Sequence, residues 1–225
     1  MGKPILVSWS SGKDSAWALH LLRQQPQFTV TGLFTTANED HQRVAMHAVR
    51  LELLRRQAEA VGLPLDILYI PNRCSNAQYD SIMASFVEKA ERDGVHHMAF
   101  GDLFLEDVRK YREERLQAAG ITALFPLWGM PTAELARQMV AEGLRAVLTC
   151  VDPRKLPVNR AGRAFDAAFL DELPSGVDAC GENGEFHTFV YDGPMLTNPI
   201  DIEVGEVIER DGFVFADVLP AGTAI

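Results

Sequence analysis

Short apolar runs alternate with segments of helical periodicity through the first half of this chain, and no other feature constrains the fold as much. The alternation predicts strands at 4–10, 28–35, 65–70 and 95–101, and helices at 15–25, 44–61, 75–93 and 108–119. Strands that alternate with helices in this order form a parallel sheet with helices on its faces. We therefore predict an α/β fold built on a doubly wound, Rossmann-like parallel sheet.

The second half of the chain is predicted to form a smaller lobe. A connection rich in Pro and Gly around Pro126 leads into a helix capped by Thr132. Further apolar runs lie at 144–151, 185–193, 200–210 and 213–220, and a short helix is predicted at 165–172. We predict an N-terminal domain at 1–128 and a C-terminal α/β lobe at 129–225.

The charge balance bears on the partners of the protein. The chain of 225 residues has 31 acidic and 21 basic side chains, which gives a net charge of −10. Because proteins that grip a phosphate backbone present a basic face, no nucleic-acid partner is expected. The N-terminus lacks the layout of a signal peptide, and no apolar run approaches the roughly 20 residues of a membrane span, so we predict a cytoplasmic protein without a membrane partner. The three cysteines have the spacing of neither a disulfide framework nor a zinc site.

The turn between the first strand and the first helix carries the most specific chemistry. It consists of small, polar and charged residues: Ser10, Ser11, Gly12, Lys13, Asp14 and Ser15. Backbone N–H groups at a helix N-terminus have no intrahelical acceptor and lie at the positive end of the helix dipole, so such a turn can bind phosphate. An ordinary capped helix start is the alternative. A Walker loop is excluded, because GxxxxGK[ST] requires Gly at Val7 and Ser or Thr at Asp14.

Three segments resemble one family of enzymes. "SWSSGKDS" resembles the pyrophosphatase loop SGGxDS of the ATP pyrophosphatases, with Ser11 where the common form has Gly. The segments 101–129, "GDLFLEDVRKYREERLQAAGITALFPLWG", and 175–194, "SGVDACGENGEFHTFVYDGP", are similar in order and spacing to signatures of the diphthine ammonia ligase family. The resemblance implies an ATP pyrophosphatase type of fold and an enzyme that uses ATP and Mg²⁺. It also implies that a carboxylate is activated as an acyl-adenylate, that ammonia is transferred to it, and that AMP and pyrophosphate are released.

The resemblance also implies roles for individual residues. Phosphate binding is expected of the loop together with Gly101 and Asp102, and Asp14 is expected to orient the metal or the lysine. The expected catalytic residues are Lys13, Asp14, Glu182 and Glu185, and the expected substrate contacts are Glu106, Gly184 and His187. His187 stands where these ligases more often carry Glu, which leaves open a relative that acts on another carboxylate.

Structural alternatives remain for these segments. "GENGEFHT" has the composition of a solvated hairpin turn, and the helix with Arg109, Lys110 and Arg112 has acidic residues at salt-bridge spacing. The tryptophans Trp9, Trp17 and Trp128 can stack on adenine or lie in the core, and His41 and His47 follow the second strand as further nucleotide-contact candidates.

The acceptor is either a small molecule or a modified protein side chain, and a homo-oligomer is left open. Two other functions are weighed. An RNA-modifying ATP pyrophosphatase is disfavoured by the net charge and by the absence of a cysteine pair. A nucleotide-sensing protein would keep the loop without needing the second acidic motif.

Overall fold

The computed structural model of the protein describes residues 2–39, 43–44, 49–72 and 74–222. The strands are β1 (Lys3–Ser8), β2 (Phe28–Asn38), β3 (Arg43–Val44), β4 (Leu65–Ile70), β5 (His97–Ala99), β6 (Thr122–Leu124), β7 (Arg145–Val151), β8 (Ala164–Phe165), β9 (Phe186–Asp192), β10 (Ile202–Arg210) and β11 (Phe213–Pro220). The helices are α1 (Lys13–Arg23), α2 (Leu51–Val61), α3 (Asn76–Arg92), α4 (Glu106–Gln117), α5 (Thr132–Ala141) and α6 (Ala167–Asp171), with a 3-10 turn at Val158–Arg160.

The predicted doubly wound parallel sheet is confirmed. β2 pairs with β4 and with β1, β1 pairs with β5, and β5 pairs with β6, all in parallel, so the order is β4-β2-β1-β5-β6. Strands that follow β1 are added on one side of it up to β4 and on its other side from β5 onward, so the strand order has its switch point between β1 and β5. The loops that follow these two strands therefore open at the same edge, which is where open α/β sheets bind ligands.

Alternate residues of β1 face the two helical layers. Ile5 and Val7 pack in a core cluster with residues of α1 and α2. Leu6 belongs to the opposite cluster, with residues of α3 and α4. This is the period-2 burial expected of a central strand, and it explains why "ILV" reads as a continuous apolar run.

One predicted helix begins too early in the sequence. The prediction that the second helix includes Val44 is wrong, because Arg43–Val44 forms β3, antiparallel to Ala37 and Asn38 at the end of β2. The helix itself begins at Leu51. The apolar spacing of Val44 with Leu51 is helical by coincidence, and β2 continues three residues further than predicted, which supplies a pairing edge for β3.

The second lobe is a smaller antiparallel sheet with two helices. β7 pairs with β9 along one edge and with β8 and β11 at different points of the other, and β11 pairs with β10. The predicted capping role of Thr132 is wrong: Pro131 is the N-cap of α5, and the Thr132 hydroxyl donates a hydrogen bond to Asp178 Oδ1 instead. The domain boundary predicted at 128/129 lies in the connection between β6 and α5.

The two lobes share one apolar core. Trp17 and Leu19 of α1 are fully buried in the same cluster as Phe189 and Val190 of β9. The start of α1 therefore lies against the second lobe rather than at a free surface. Over the described ranges, no helix is long and apolar enough to cross a membrane.

Candidate active site

A cavity of about 210 Å³ lies at the edge where the loops after β1 and β5 meet the segment before β9. It is lined by nine of the predicted site residues: Ser10, Lys13, Asp14, Ser15, Gly101, Asp102, Glu182, Gly184 and His187. Residues far apart in the sequence thus form one site, with contributions from both lobes.

Hydrogen bonds within the loop hold its turn in place. Ser15 Oγ donates to the Gly12 carbonyl at 3.0 Å, and the Ser10 backbone N–H donates to Ser15 Oγ at 3.3 Å. Gly12 precedes α1 without a side-chain cap, and its own N–H donates to Ser10 Oγ at 3.4 Å. Asp14 and Ser15 lie in the first turn of α1 and line the cavity, so an anion there would meet the positive end of the helix.

Ser11 has a backbone conformation that favours glycine. Its φ is +71°, in the left-handed region, and its side chain is buried. The Ser11 carbonyl accepts hydrogen bonds from the Val190 N–H and from Gln57 Nε2, both at 3.0 Å. Ser11 Oγ has no hydrogen-bond partner among the described residues. The position that is Gly in the common motif therefore needs a positive φ here as well, and the serine adopts it at a cost in strain.

Gly101 lies too close to α1 for any side chain. A Cβ atom at this position would lie 2.8 Å from the Asp14 carbonyl carbon and 2.9 Å from the Ser15 nitrogen. Since Gly101 follows β5, the absence of a side chain allows this loop to pack on the first turn of α1. This close packing explains why the residue is glycine. The phosphate contact of Gly101 stays a prediction.

Lys13 is buried between the lobes, so its ammonium is a fixed charge rather than a mobile one. Only 2% of it is exposed, and its ammonium donates to Asp14 Oδ2 at 2.9 Å and to the Cys180 carbonyl. Its backbone N–H donates to Thr188 Oγ1 of β9 at 3.1 Å. Burial lowers the pKa of Lys13, but Asp14 and the other groups around the ammonium, Cys180 and Glu182, together outweigh burial and the pKa is raised, so the ammonium stays charged.

Glu182 joins the second lobe to the loop after β5. Its Oε1 accepts a hydrogen bond of 2.8 Å from the Leu103 N–H. Burial raises the pKa of Glu182 to about 7; the Leu103 N–H opposes this shift, whereas the carboxylates of Asp14 and Asp102 add to it. A carboxyl group that titrates near neutral pH in a cavity is suited to accept and return a proton.

The loop that carries Glu182 is organised by Asp178, which sequence reasoning missed. Asp178 Oδ2 accepts hydrogen bonds from the N–H groups of Cys180 at 3.2 Å and Glu182 at 2.9 Å. Gly181 has a φ of +71° in this turn, and a Cβ there would lie 2.8 Å from the Phe186 carbonyl oxygen. An Asp followed by N–H donors two and four residues later is an Asx-type turn signal, and "DACGE" carries it.

His187 lines the cavity from β9 as a neutral imidazole. Burial lowers its pKa to about 4, and the charge on Lys13 lowers it further. His187 is therefore uncharged at neutral pH, and it adds hydrogen-bonding capacity rather than charge to the wall.

Four of the predicted site residues are not part of the cavity lining: Ser11, Gly12, Glu106 and Glu185. Glu185 is 2% exposed, and its Oε1 accepts hydrogen bonds from the Asp178 N–H at 3.3 Å and from Asn183 Nδ2 at 3.2 Å. The prediction that Glu185 faces an acceptor is not supported, because its side chain points into its own loop. Glu106 is exposed at the first residue of α4 and is not part of the lining.

Two basic residues of α4 form ion pairs along the helix, as in the structural alternative that the sequence left open. Arg109 pairs with Glu113 at 2.8 Å, and Lys110 lies 3.8 Å from Glu114. Arg112 differs, because it lines the cavity and its Nε lies 2.8 Å from Oδ2 of Asp102.

The other nucleotide-contact candidates lie elsewhere. Trp9 and Trp17 are buried, and Trp128 is half-buried with the Arg109 guanidinium carbon 4.7 Å from its ring centroid. His41 and His47 lie outside the described residues.

A magnesium ion fits one carboxylate of the site. Among the described residues, no side chain or backbone group at hydrogen-bond geometry contacts the buried Asp14 Oδ1, while Oδ2 contacts Lys13. In the part of the chain that the structure describes, no three acidic, His or Cys side chains are grouped to hold a metal. One carboxylate is nevertheless compatible with Mg²⁺, which usually keeps several waters and binds one or two carboxylates together with substrate phosphates.

Comparisons with known proteins cover both lobes. The diphthamide synthase N-terminal domain matches residues 3–122, and the diphthamide synthase C-terminal domain matches residues 132–216. Diphthine–ammonia ligase of Homo sapiens is 27% identical over 194 residues, covering 79% of this chain and 70% of the human protein. Diphthine–ammonia ligase of Danio rerio is 30% identical over 187 residues, covering 79% of this chain and 72% of the fish protein. The chain belongs to the diphthamide synthase family.

Proposed function

We propose that this protein is an ATP-dependent carbon–nitrogen ligase that activates a carboxylate as an acyl-adenylate and transfers ammonia to it, releasing AMP and pyrophosphate. The names of its relatives make diphthine the first acceptor to test. The observation that carries the proposal is the shared cavity: the first lobe supplies an anion site at the start of α1, and the second supplies the Glu182 carboxyl with its pKa near 7. A protein that only bound a nucleotide would need the first feature and not the second.

The β- and γ-phosphates of ATP are assigned to the start of α1. Ser10, Asp14 and Ser15 line the cavity there, and the positive end of the helix dipole favours negative charge. Lys13 acts through its fixed charge: its ammonium, held by Asp14 and the Cys180 carbonyl, lies at the junction of this loop with the second lobe. Such preorganised groups stabilise charge that develops on departing pyrophosphate without moving during the reaction.

The reaction divides into two substitutions. An oxygen of the acceptor carboxylate attacks the α-phosphorus, the bond from that phosphorus to the bridging oxygen breaks, and pyrophosphate leaves with the electron pair. Ammonia then attacks the acyl carbon, the bond to AMP breaks, and one proton leaves the nitrogen. We assign that proton to Glu182, whose pKa of about 7 allows it to be a carboxylate when ammonia attacks and an acid afterwards.

Mg²⁺ would be held by Asp14 Oδ1, the carboxylate oxygen that has no hydrogen-bond partner in the described part of the chain. When bound, it supplies charge neutralisation to the phosphates. The neighbouring Lys13 keeps the other oxygen of Asp14 engaged, which fixes the direction of the free one.

The proposal is tested with ATP labelled in the α- and γ-phosphates, ammonium and a diphthine-bearing protein. AMP, pyrophosphate and the amide are expected in equal amounts, each dependent on both ammonium and acceptor. Mass spectrometry of the acceptor reports the change from acid to amide. ADP and inorganic phosphate as the stoichiometric products would contradict the proposal.

A further inference from the structure

A second cavity, of about 250 Å³, lies between α3 and α4. Its walls are mostly apolar and aromatic, and include Tyr79, Met83, Tyr111 and Leu116. It lies on the face of the sheet opposite α1 and α2, where the second core cluster packs. An apolar cavity of this size takes a compact ring or branched alkyl group.

This cavity shares two residues with the candidate active site. Phe100 and Arg112 line both. The guanidinium carbon of Arg112 lies 4.4 Å from the centroid of the Phe100 ring, so the two side chains form one stacked wall with a cavity on each side. A ligand that extends around this wall would reach the reacting groups at one end and the apolar cavity at the other.

Arg112 is held in place but is not saturated with hydrogen bonds. Its Nη2 donates to Asp102 Oδ1 at 3.2 Å. Its Nε lies 2.8 Å from Asp102 Oδ2, so the guanidinium and this carboxylate form an ion pair at the cavity wall. Among the described residues, Nη1 of Arg112 has no hydrogen-bond partner, so this end of the guanidinium is left for a polar ligand. A guanidinium has five N–H donors in a planar fork, and a carboxylate is the group that matches this fork.

We propose that Arg112 and the α3–α4 cavity form the acceptor subsite: Arg112 binds the reacting carboxylate, and the cavity holds the apolar part of the acceptor next to it. The inference rests on the proposed function, since it names the substrate class of the same site. Arg112 is assigned to the carboxylate rather than to ATP because the phosphates are already assigned to the start of α1. Among the described residues, Arg112 is also the cation that lines both cavities. The acceptor is thus a carboxylate with a compact apolar body, either free or as a protein side chain.

A small probe tests the subsite without requiring turnover. 3-Phenylpropionate supplies the carboxylate and the apolar ring, and 3-phenylpropanamide is the neutral isostere. We expect saturable binding of the acid by NMR titration, and binding of the amide that is weaker by about 10-fold or more, the scale of a hydrogen bond to a charged group. Arg112→Gln should weaken binding of the acid to the affinity of the amide. The affinity for an ATP analogue should stay unchanged.

A pair of adjacent substitutions tests the cavity itself. Ala84 lines the cavity at an exposed position of α3, and Ser85 is exposed beside it but does not line the cavity. Ala84→Phe should abolish binding of the acid, and Ser85→Phe should leave it unchanged.

Three results would overturn the proposal. The first is that the acid shows no saturable binding, and the second is that it binds Ala84→Phe as tightly as the wild type. The third is that Arg112→Gln loses its affinity for the ATP analogue, which would assign Arg112 to the nucleotide. Because the probe reports binding alone, failure here leaves the AMP-forming activity to be judged by its own assay.

Discussion

The carboxylate of Glu182 accepts a hydrogen bond of 2.8 Å from the backbone N–H of Leu103, 79 residues earlier in the chain. The Leu103 carbonyl accepts in turn from the Gly129 N–H at 2.9 Å. One residue of the loop after β5 thus fixes both the second lobe and the connection between the lobes. The carboxyl group assigned to proton transfer is therefore positioned by backbone groups rather than by a flexible partner.

Glu182→Gln is expected to keep the fold and to lose activity. Gln retains an oxygen that accepts from Leu103 but cannot take a proton, so amide formation should fall by about 10²- to 10⁴-fold. In the wild type, the rate should rise with pH through about 7, where Glu182 loses its proton, and this limb should be absent from the residual activity of the variant. Steady-state rates over a pH series measure both effects.

Glu185→Gln is the matched control, three residues away and outside the cavity lining. It should reduce amide formation less than Glu182→Gln at equal folded fraction, because its carboxylate bonds only its own loop. A larger loss in Glu185→Gln than in Glu182→Gln would reverse the two assignments.

Glu182→Gln should also raise the thermal stability of the protein above about pH 7. The pKa of Glu182 in the fold is about 7, raised by burial from 4.5, so its favourable contribution to folding is complete below 4.5 and is lost as pH rises through 7. Gln keeps the uncharged form at every pH. We expect a higher Tm for Glu182→Gln than for the wild type at about pH 8 and nearly equal Tm at about pH 5. A lower Tm at the higher pH would show that the carboxylate is stabilising there.

Lys13→Ala should destabilise the protein as well as inactivate it. The substitution leaves the Asp14 carboxylate and the Cys180 carbonyl without their cation, and breaking a buried pair on one side costs about 3–5 kcal/mol. Chemical denaturation measures the loss. The double variant Lys13→Ala with Asp14→Ala should lose less than the sum of the single variants, since neither charge is then stranded. Strict additivity would show that the two side chains do not interact, and full activity of Lys13→Ala would remove Lys13 from the mechanism.

Ser11→Gly is expected to stabilise the protein by about 1 kcal/mol. Glycine relieves the positive φ and removes a buried hydroxyl without a partner, which together outweigh its greater freedom in the unfolded chain. Ser11→Val, which retains the strain and adds a branched side chain, should destabilise instead. Urea denaturation of the two variants gives the comparison, and a destabilised Ser11→Gly would mean that the hydroxyl has a partner.

The fold was largely predictable because a strand buried on both faces appears in the sequence as a continuous apolar run, and a helix appears as apolar residues at helical spacing. The alternation of short apolar runs with segments of helical periodicity predicted a doubly wound parallel sheet, and the structure has it. β3 was not predictable, because two residues carry no periodicity and Val44 continued the helical spacing of α2.

The candidate site was predictable in its motifs and not in its side-chain directions. Glu182 and Glu185 are equivalent in "GENGEFHT"; the turn at Gly184, with its φ of +78°, separates the one that lines the cavity from the one that faces Asp178. The burial of Lys13 depends on β9 packing across the start of α1, a contact between residues 175 apart. The local sequence pattern encodes neither the directions of the two glutamate side chains nor the burial of Lys13.

The central claim is that an acceptor oxygen attacks the α-phosphorus of ATP, and transfer of that oxygen tests it most directly. A diphthine-bearing protein whose carboxylate is enriched in heavy oxygen is incubated with ATP and ammonium, and the AMP is analysed by mass spectrometry. The account predicts that AMP gains one heavy oxygen for each amide formed. Amide formation with unlabelled AMP, or with ADP in place of AMP, would contradict it.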